Sequence, residues 1–145
     1  MKTRIAVFAY WIIVSGCAGT GLTSYGDYVR ATKDSETSKA VIYRQSGIVV
    51  GGGTLFTITL NGAVLGKLGN DEFLIGEMQE GRNILEVKVT GLQGLGLNKP
   101  RQIFEKTINE DMYFKVGYAG GANLLGLPEY KIFVQEISPE EFRLQ

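Results

Sequence analysis

"TLFTITLNGAVLGKL", residues 54–68, decides how this chain is read. In its first half apolar and hydroxyl side chains alternate, with Phe56, Ile58 and Leu60 on one side and Thr57 and Thr59 on the other. A repeat of two is the mark of a strand with one face buried and one in water. Asn61-Gly62 then interrupts, and a second apolar run starts at once. Both central residues of a two-residue hairpin need positive φ, which Asn and Gly accept most readily, so the stretch predicts a β-hairpin. A phosphate loop is excluded here, because Leu68 stands where a Ser or Thr would have to follow Lys67.

The same texture continues on both sides. Strands are predicted at Ala40–Arg44, Thr54–Leu60, Val64–Leu68, Glu72–Met78, Asn83–Thr90, Gln102–Ile108, Met112–Tyr118 and Tyr130–Ile137. In "LEVKV" the inward set is Leu85, Val87 and Val89; in "MYFKVGY" it is Met112, Phe114, Val116 and Tyr118. Gly69-Asn70-Asp71, Glu80-Gly81 and Asn109-Glu110-Asp111 mark reversals. No stretch has the spacing of a long amphipathic helix. The fold class is therefore all-β, an antiparallel two-sheet sandwich of about seven to eight strands, Ig-like or transthyretin-like. After the last strand, Ser138 is a candidate N-cap with Pro139 at the first helical position, so residues 138–145 form either one helical turn or a frayed tail.

Upstream of the strands the chain changes character. Lys2 and Arg4 precede an uncharged apolar run from Ile5 to Val14, the pattern of a secretory leader. A membrane-spanning helix needs about 20 predominantly apolar residues, and this run is much shorter. Val14-Ser15-Gly16-Cys17 resembles the lipobox of bacterial lipoproteins, in which small residues admit a peptidase and the thiol takes a diacylglycerol. Cys17 is the only cysteine, so it has no partner for an internal disulfide. The division expected is a leader at 1–16, an acylated Cys17 with a flexible tether to residue 38, the sandwich at 39–137, and a tail at 138–145. A tether of that length spans about 25 Å, with Tyr25, Tyr28 and Val29 as an alternative short packed segment. Ala18 after the acylated position resembles an outer-membrane address, with the domain facing the periplasm.

Loss of the leader removes Lys2 and Arg4, leaving 13 basic against 15 acidic residues. That balance lacks the basic footprint of a nucleic-acid binder. "AVIYRQSG", "ITLNGAVLGKL", "DEFLIGEMQEGRNILEVKV" and "INEDMYFKVGY" resemble, in order, a domain-of-unknown-function family of small bacterial envelope lipoproteins, with a Tyr-x-Tyr-Arg-Pro strand, a DGK-type hairpin and a PGKH turn. The middle part also resembles PEGA-type β modules. Gln45, Glu80 and Arg82-Asn83 depart from that pattern. The resemblance, over residues 39–137, implies a compact sandwich and brings no catalytic residues.

Chemistry is hard to place. Without histidine, Ser-His and Cys-His arrangements are impossible and the commonest metal ligand is missing. The carboxylate pairs Asp71/Glu72, Glu77/Glu80, Glu110/Asp111 and Glu140/Glu141 sit at turns and read as solvated surface, and no calcium-loop pattern accompanies them. No enzyme, cofactor or metal is expected. Three connections are unusually apolar: "QSGIVVGGG" at 45–53, "GLQGLGLNKPR" at 91–101 and "AGGANLLGLPE" at 119–129. If every connection reverses direction, all three lie at one end and the tether enters at the other. Ile48, Val49, Leu92, Leu95, Leu124 and Leu125 are then the candidate partner-binding residues, at a membrane-distal tip. The alternative is that these side chains, Leu97 and Leu127 above all, plug the open end of the core. The expected function is a lipid-anchored envelope protein whose loops bind a periplasmic protein. A glycan or small-ligand binder, with Tyr43, Tyr113 and Tyr118 stacking on sugars, is the alternative.

Overall fold

A computed structural model describes residues 19–32, 37–45, 54–89, 99–105, 110–122, 125 and 128–144. Ten elements follow in order: α1 (Tyr25–Thr32), β1 (Lys39–Arg44), β2 (Phe56–Leu60), β3 (Ala63–Leu68), β4 (Phe73–Glu77), β5 (Arg82–Val89), β6 (Arg101–Glu105), β7 (Met112–Ala122), β8 (Pro128–Ile137) and α2 (Pro139–Arg143). All eight predicted strands are present, and they form two four-stranded sheets of order β4-β1-β7-β8 and β3-β2-β5-β6. None of the described helices is long and apolar enough to cross a membrane.

The all-β sandwich is as expected, but one sheet is mixed. β1 pairs antiparallel with β4 and parallel with β7, Ala40 opposite Met112 and Arg44 opposite Val116. The parallel pair follows from direction: odd-numbered strands all run the same way, so two of them placed side by side must be parallel. The order also departs from the immunoglobulin arrangement, where strands one, two, five and four share a sheet.

The β2–β3 hairpin turns through Asn61 (φ 52°) and Gly62 (φ 83°), as the sequence requires. Between the sheets lie Phe56, Ile58, Leu60, Leu85, Val87, Phe114 and Val116, with Met112, Tyr118 and Val89 packed against them. These are the inward sets read from the alternation, while Glu86 and Lys88 are exposed.

A second cluster covers the outer face of the first sheet, formed by Tyr28, Val41, Tyr43, Phe73, Ile137 and Phe142. β1 is therefore buried on both faces along its whole length. Its cover comes from the two ends of the chain. Ser138 accepts a hydrogen bond from the Glu141 N–H (3.1 Å) and caps α2, which carries Phe142 to within 5.5 Å of the Tyr28 ring and 5.1 Å of Tyr113. The predicted helical turn thus forms and belongs to the body rather than to a frayed tail. Tyr28, on α1, is 7% exposed. Its hydroxyl donates to Asp111 (2.9 Å), so Tyr113 donates to it (2.8 Å). Residues 19–32, expected within a flexible tether, are packed instead, because the outer face of the first sheet is too apolar to leave in water.

Candidate functional site

Register places the chain connections at two ends. Tyr43 lies opposite Phe73, and Phe56 lies opposite both Leu68 and Val89. The connections after β1, β3, β5 and β7 therefore share one end, called here the loop end. The Asn61-Gly62 turn, the 78–81 turn and α2 share the other.

At the loop end β1 finishes on Arg44, which is 2% exposed. The alternation of β1 explains this placement: Ala40 and Ile42 face between the sheets, so Arg44 does too. Its Nη1 donates to the Thr54 carbonyl and to the Leu68 carbonyl (3.1 Å), tying the first sheet to the second. The guanidinium lies 4.3 Å from the Phe56 ring centre, a cation–π contact, and Phe56 meets Tyr118 edge-on at 5.0 Å. Burial lowers the pKa of Arg44 from its ordinary value, while Tyr118, Glu72 and Asp71 oppose that shift. Burial raises the Tyr118 hydroxyl.

The N-terminal segment is fastened at this same end. Thr20 N–H donates to the Lys67 carbonyl (2.7 Å) and Lys67 N–H donates to the Thr20 hydroxyl (2.9 Å). Leu22 and Phe73 exchange two backbone hydrogen bonds of 2.8 Å, an isolated antiparallel bridge. The Glu72 carboxylate accepts from Gly69 N–H (2.8 Å) and Gly21 N–H (3.3 Å), joining the β3–β4 turn to the incoming chain. The fit is close. A Cβ on Gly21 would lie 2.8 Å from Glu72 Cβ and 2.9 Å from the Phe73 carbonyl oxygen. From here α1 crosses the outer face of the first sheet and the chain starts β1 at the opposite end. The expected entry point is thus reversed: residues 19–22 meet the sandwich at the loop end, because pairing Leu22 beside Phe73 extends β-type bonding at an exposed edge.

Of the candidate partner-binding residues, Leu125 is described, in the β7–β8 turn, and it is 83% exposed. Ile48, Val49, Leu92, Leu95 and Leu124 lie outside the described residues, as do Leu97, Leu127 and the candidate lipidation residue Cys17. The tyrosines considered for sugar stacking are taken up internally. Tyr43 is 6% exposed and donates to Asp71 (3.2 Å), Tyr113 lies against Phe142, and Tyr118 faces Phe56. Burial pushes the Tyr43 hydroxyl up to about 12, with the Asp71 charge adding to it.

Several of the carboxylates are engaged in separate structural bonds. Glu72 serves the N-terminal clamp, Glu77 pairs with Lys39 (2.9 Å), Asp111 accepts from Lys39 N–H (2.7 Å), and Glu141 meets Lys115 (3.2 Å). Among the described residues no group of three or more His, Cys, Asp or Glu is placed to hold a metal ion. At the end opposite the loops an open cleft of about 430 Å³ is lined by Glu110, Asp111, Met112, Tyr113, Glu136 and the start of α2. Sequence reasoning did not single out Arg44, and it read Glu72, in the Asp71/Glu72 pair, as solvated surface rather than as part of a clamp. Period-two counting along "AVIYR" would have put Arg44 inside; no sequence signal marks Glu72. The chain matches no protein-family model and no curated protein.

Proposed function

We propose that this protein is a non-enzymatic cell-envelope lipoprotein, acylated at Cys17, that holds a rigid β-sandwich close to its own membrane as a binding module. The observation that supports this reading is the clamp on residues 19–22. Gly19 is two residues from Cys17, and two extended residues reach about 7 Å at most. An acyl chain on Cys17 would therefore bring the loop end to the bilayer, with no long tether between. The engagement of the carboxylates in structural bonds favours a non-catalytic role. A protein partner of the apolar loops would then have to lie at the membrane surface, rather than across the periplasm.

The test is chemical. Mass spectrometry of the chain extracted from membranes should find it beginning at an acylated Cys17, and Cys17→Ser should leave the leader uncleaved. A free thiol at residue 17, or an intact leader on the unsubstituted chain, overturns the reading.

A second reading has an observation of its own. The 430 Å³ cleft beside α2 suits a small polar or cationic ligand, since Glu110, Asp111 and Glu136 line it. Glu136→Lys should abolish any ligand-induced chemical shifts at Met112 and Ile137. Ligand shifts that persist in that variant argue against the cleft as the site.

A further inference from the structure

We infer that β6 is a dimerisation edge: two copies of this chain join their second sheets by antiparallel β6–β6 pairing about a twofold axis at Ile103. The inference goes beyond the lipoprotein reading and does not depend on it.

The backbone prepares this edge. β6 ends the order β3-β2-β5-β6, so among the described residues it has a strand on one side only. Its register with β5 runs from Glu105 opposite Arg82 to Arg101 opposite Glu86. One residue further, Val87 N–H donates to the Pro100 carbonyl (3.1 Å), which makes Val87 and Pro100 a hydrogen-bonded pair. Such pairs alternate with non-bonded ones along an antiparallel ladder. Gln102 and Phe104 therefore turn their amides and carbonyls to β5, while Arg101, Ile103 and Glu105 turn theirs to the open edge. A row of edge-facing N–H and C=O groups is a template for another strand.

The side chains specify which strand. Phe104 points into the core, so Arg101, Ile103 and Glu105 share the outer face, where Ile103 is 47% exposed. A twofold axis normal to the sheet sets residues of one face opposite each other. With the axis at Ile103, that residue meets Ile103 of the second copy, and Arg101 meets Glu105 on either side of it. These same residues carry the edge-facing amides and carbonyls, so about six backbone hydrogen bonds close the junction. On the inner face the neutral Gln102 lies opposite Phe104. The rows continue into each copy. Arg101 is 3.4 Å from Glu86 and Glu105 lies opposite Arg82, so charges alternate Glu86, Arg101, Glu105, Arg82 across four strands. Ile84 lies opposite Ile103, so an isoleucine row crosses between the two charged ones. Opposite charges and apolar pairs directly across a ladder stabilise it, and like charges destabilise it. Centring the pairing on Arg101 or on Glu105 would set like charges face to face. A second copy supplies the complementary order by symmetry.

The experiment uses the chain as cells make it, held in mild detergent and reduced so that neither the apolar leader nor Cys17 joins copies. Sedimentation in density-matched detergent should find a reversible dimer. Arg101→Glu and Glu105→Arg should each weaken it about tenfold or more, since each homodimer then opposes like charges. An equimolar mixture of the two variants should dimerise again, because the acid of one meets the base of the other. Val64→Lys, at a 66% exposed position on the far edge strand β3, should leave the dimer unchanged. Circular dichroism establishes that each variant is folded. Hydrogen exchange needs no substitution: the amides of Arg101, Ile103 and Glu105 should exchange about tenfold or more slowly in concentrated than in dilute protein, with Gln102 and Phe104 protected in both. A parent chain that stays monomeric, a dimer that survives both charge reversals, or edge amides that exchange equally fast at both concentrations overturns the inference. Each of these results leaves the acylation of Cys17 to be judged by mass spectrometry alone, so the two failures are distinct.

Discussion

The Arg44 guanidinium sits inside a β-sandwich with two backbone carbonyls and one aromatic ring as its neighbours. Such a group costs desolvation energy, and it repays that by satisfying carbonyls at strand ends where the ladders stop. Arg44→Met would keep the stem on Phe56 and remove the guanidinium from the Thr54 and Leu68 carbonyls. Each unsatisfied buried acceptor costs about 1–3 kcal/mol, partly offset by removing a buried charge, so a net loss of about 2 kcal/mol is expected in denaturant unfolding. An unchanged midpoint would show the two carbonyls satisfied without the guanidinium. Tyr43 makes a prediction in pH. Its folded pKa of about 12 lies above the ordinary 10.0. A raised group contributes stability that is complete below the unfolded value and is lost as pH climbs through the folded one. The melting temperature should therefore fall between about pH 10 and pH 12, and Tyr43→Phe should flatten that part of the curve. A slope unaltered in the variant would assign it to another group.

Among the elements, the turns at the end opposite the loops depend on one fully buried side chain. Asn83 accepts from Asn61 Nδ2 (2.8 Å) and Gln79 N–H (3.0 Å), and donates to the Gln79 and Gly81 carbonyls (3.0 and 2.9 Å). It thereby joins the β2–β3 turn to the β4–β5 turn. Asn83→Ala strands all four partners and should cost about 2–4 kcal/mol in equilibrium unfolding, given about 1–3 kcal/mol for each group that water cannot reach. A loss below 1 kcal/mol would mean that water enters the turn. The N-terminal clamp has its own sensitive point. Gly21→Ala forces a methyl against Glu72 Cβ and the Phe73 carbonyl, so the segment must lift away. The expected signature is about 1–3 kcal/mol of destabilisation with faster hydrogen exchange at Thr20 and Leu22. Protected amides there would show that the clamp absorbs the methyl.

For the whole molecule, both ends of the described chain close over one sheet face. Phe142 contacts Tyr28, Tyr43, Phe73 and Tyr113, so α1, α2 and the first sheet share one cluster. Phe142→Ala should cost about 3–5 kcal/mol, and hydrogen exchange at α1 should accelerate along with α2. Independent behaviour of α1 would refute that coupling.

Much of this architecture was legible beforehand. Phe56, Ile58 and Leu60 alternate with threonines, and Asn61-Gly62 admits one kind of turn, so β2 and β3 follow from local chemistry alone. Ser138-Pro139 marked α2 for the same reason. Tyr25, Tyr28 and Val29 read as an alternative short packed segment, but the helical form of α1 was not expected, because its eight residues include Gly26 and Thr32, poor helix formers, and it exists through the burial of Tyr28 on a distant strand face. The parallel β1–β7 pair also depends on which strands become neighbours, which no local pattern encodes.

The amino-acid sequence by itself determined the strands, their inward faces, the tight turns and the apolar character of three connections. These are properties of side chains and their immediate neighbours. Only the tertiary structure decided that Arg44 is buried against the Thr54 and Leu68 carbonyls and that residues 19–22 are clamped at the same end. Both depend on pairings between residues far apart in the chain, such as Leu22 with Phe73, where the energy gained comes from surfaces that meet only after the sheets have packed.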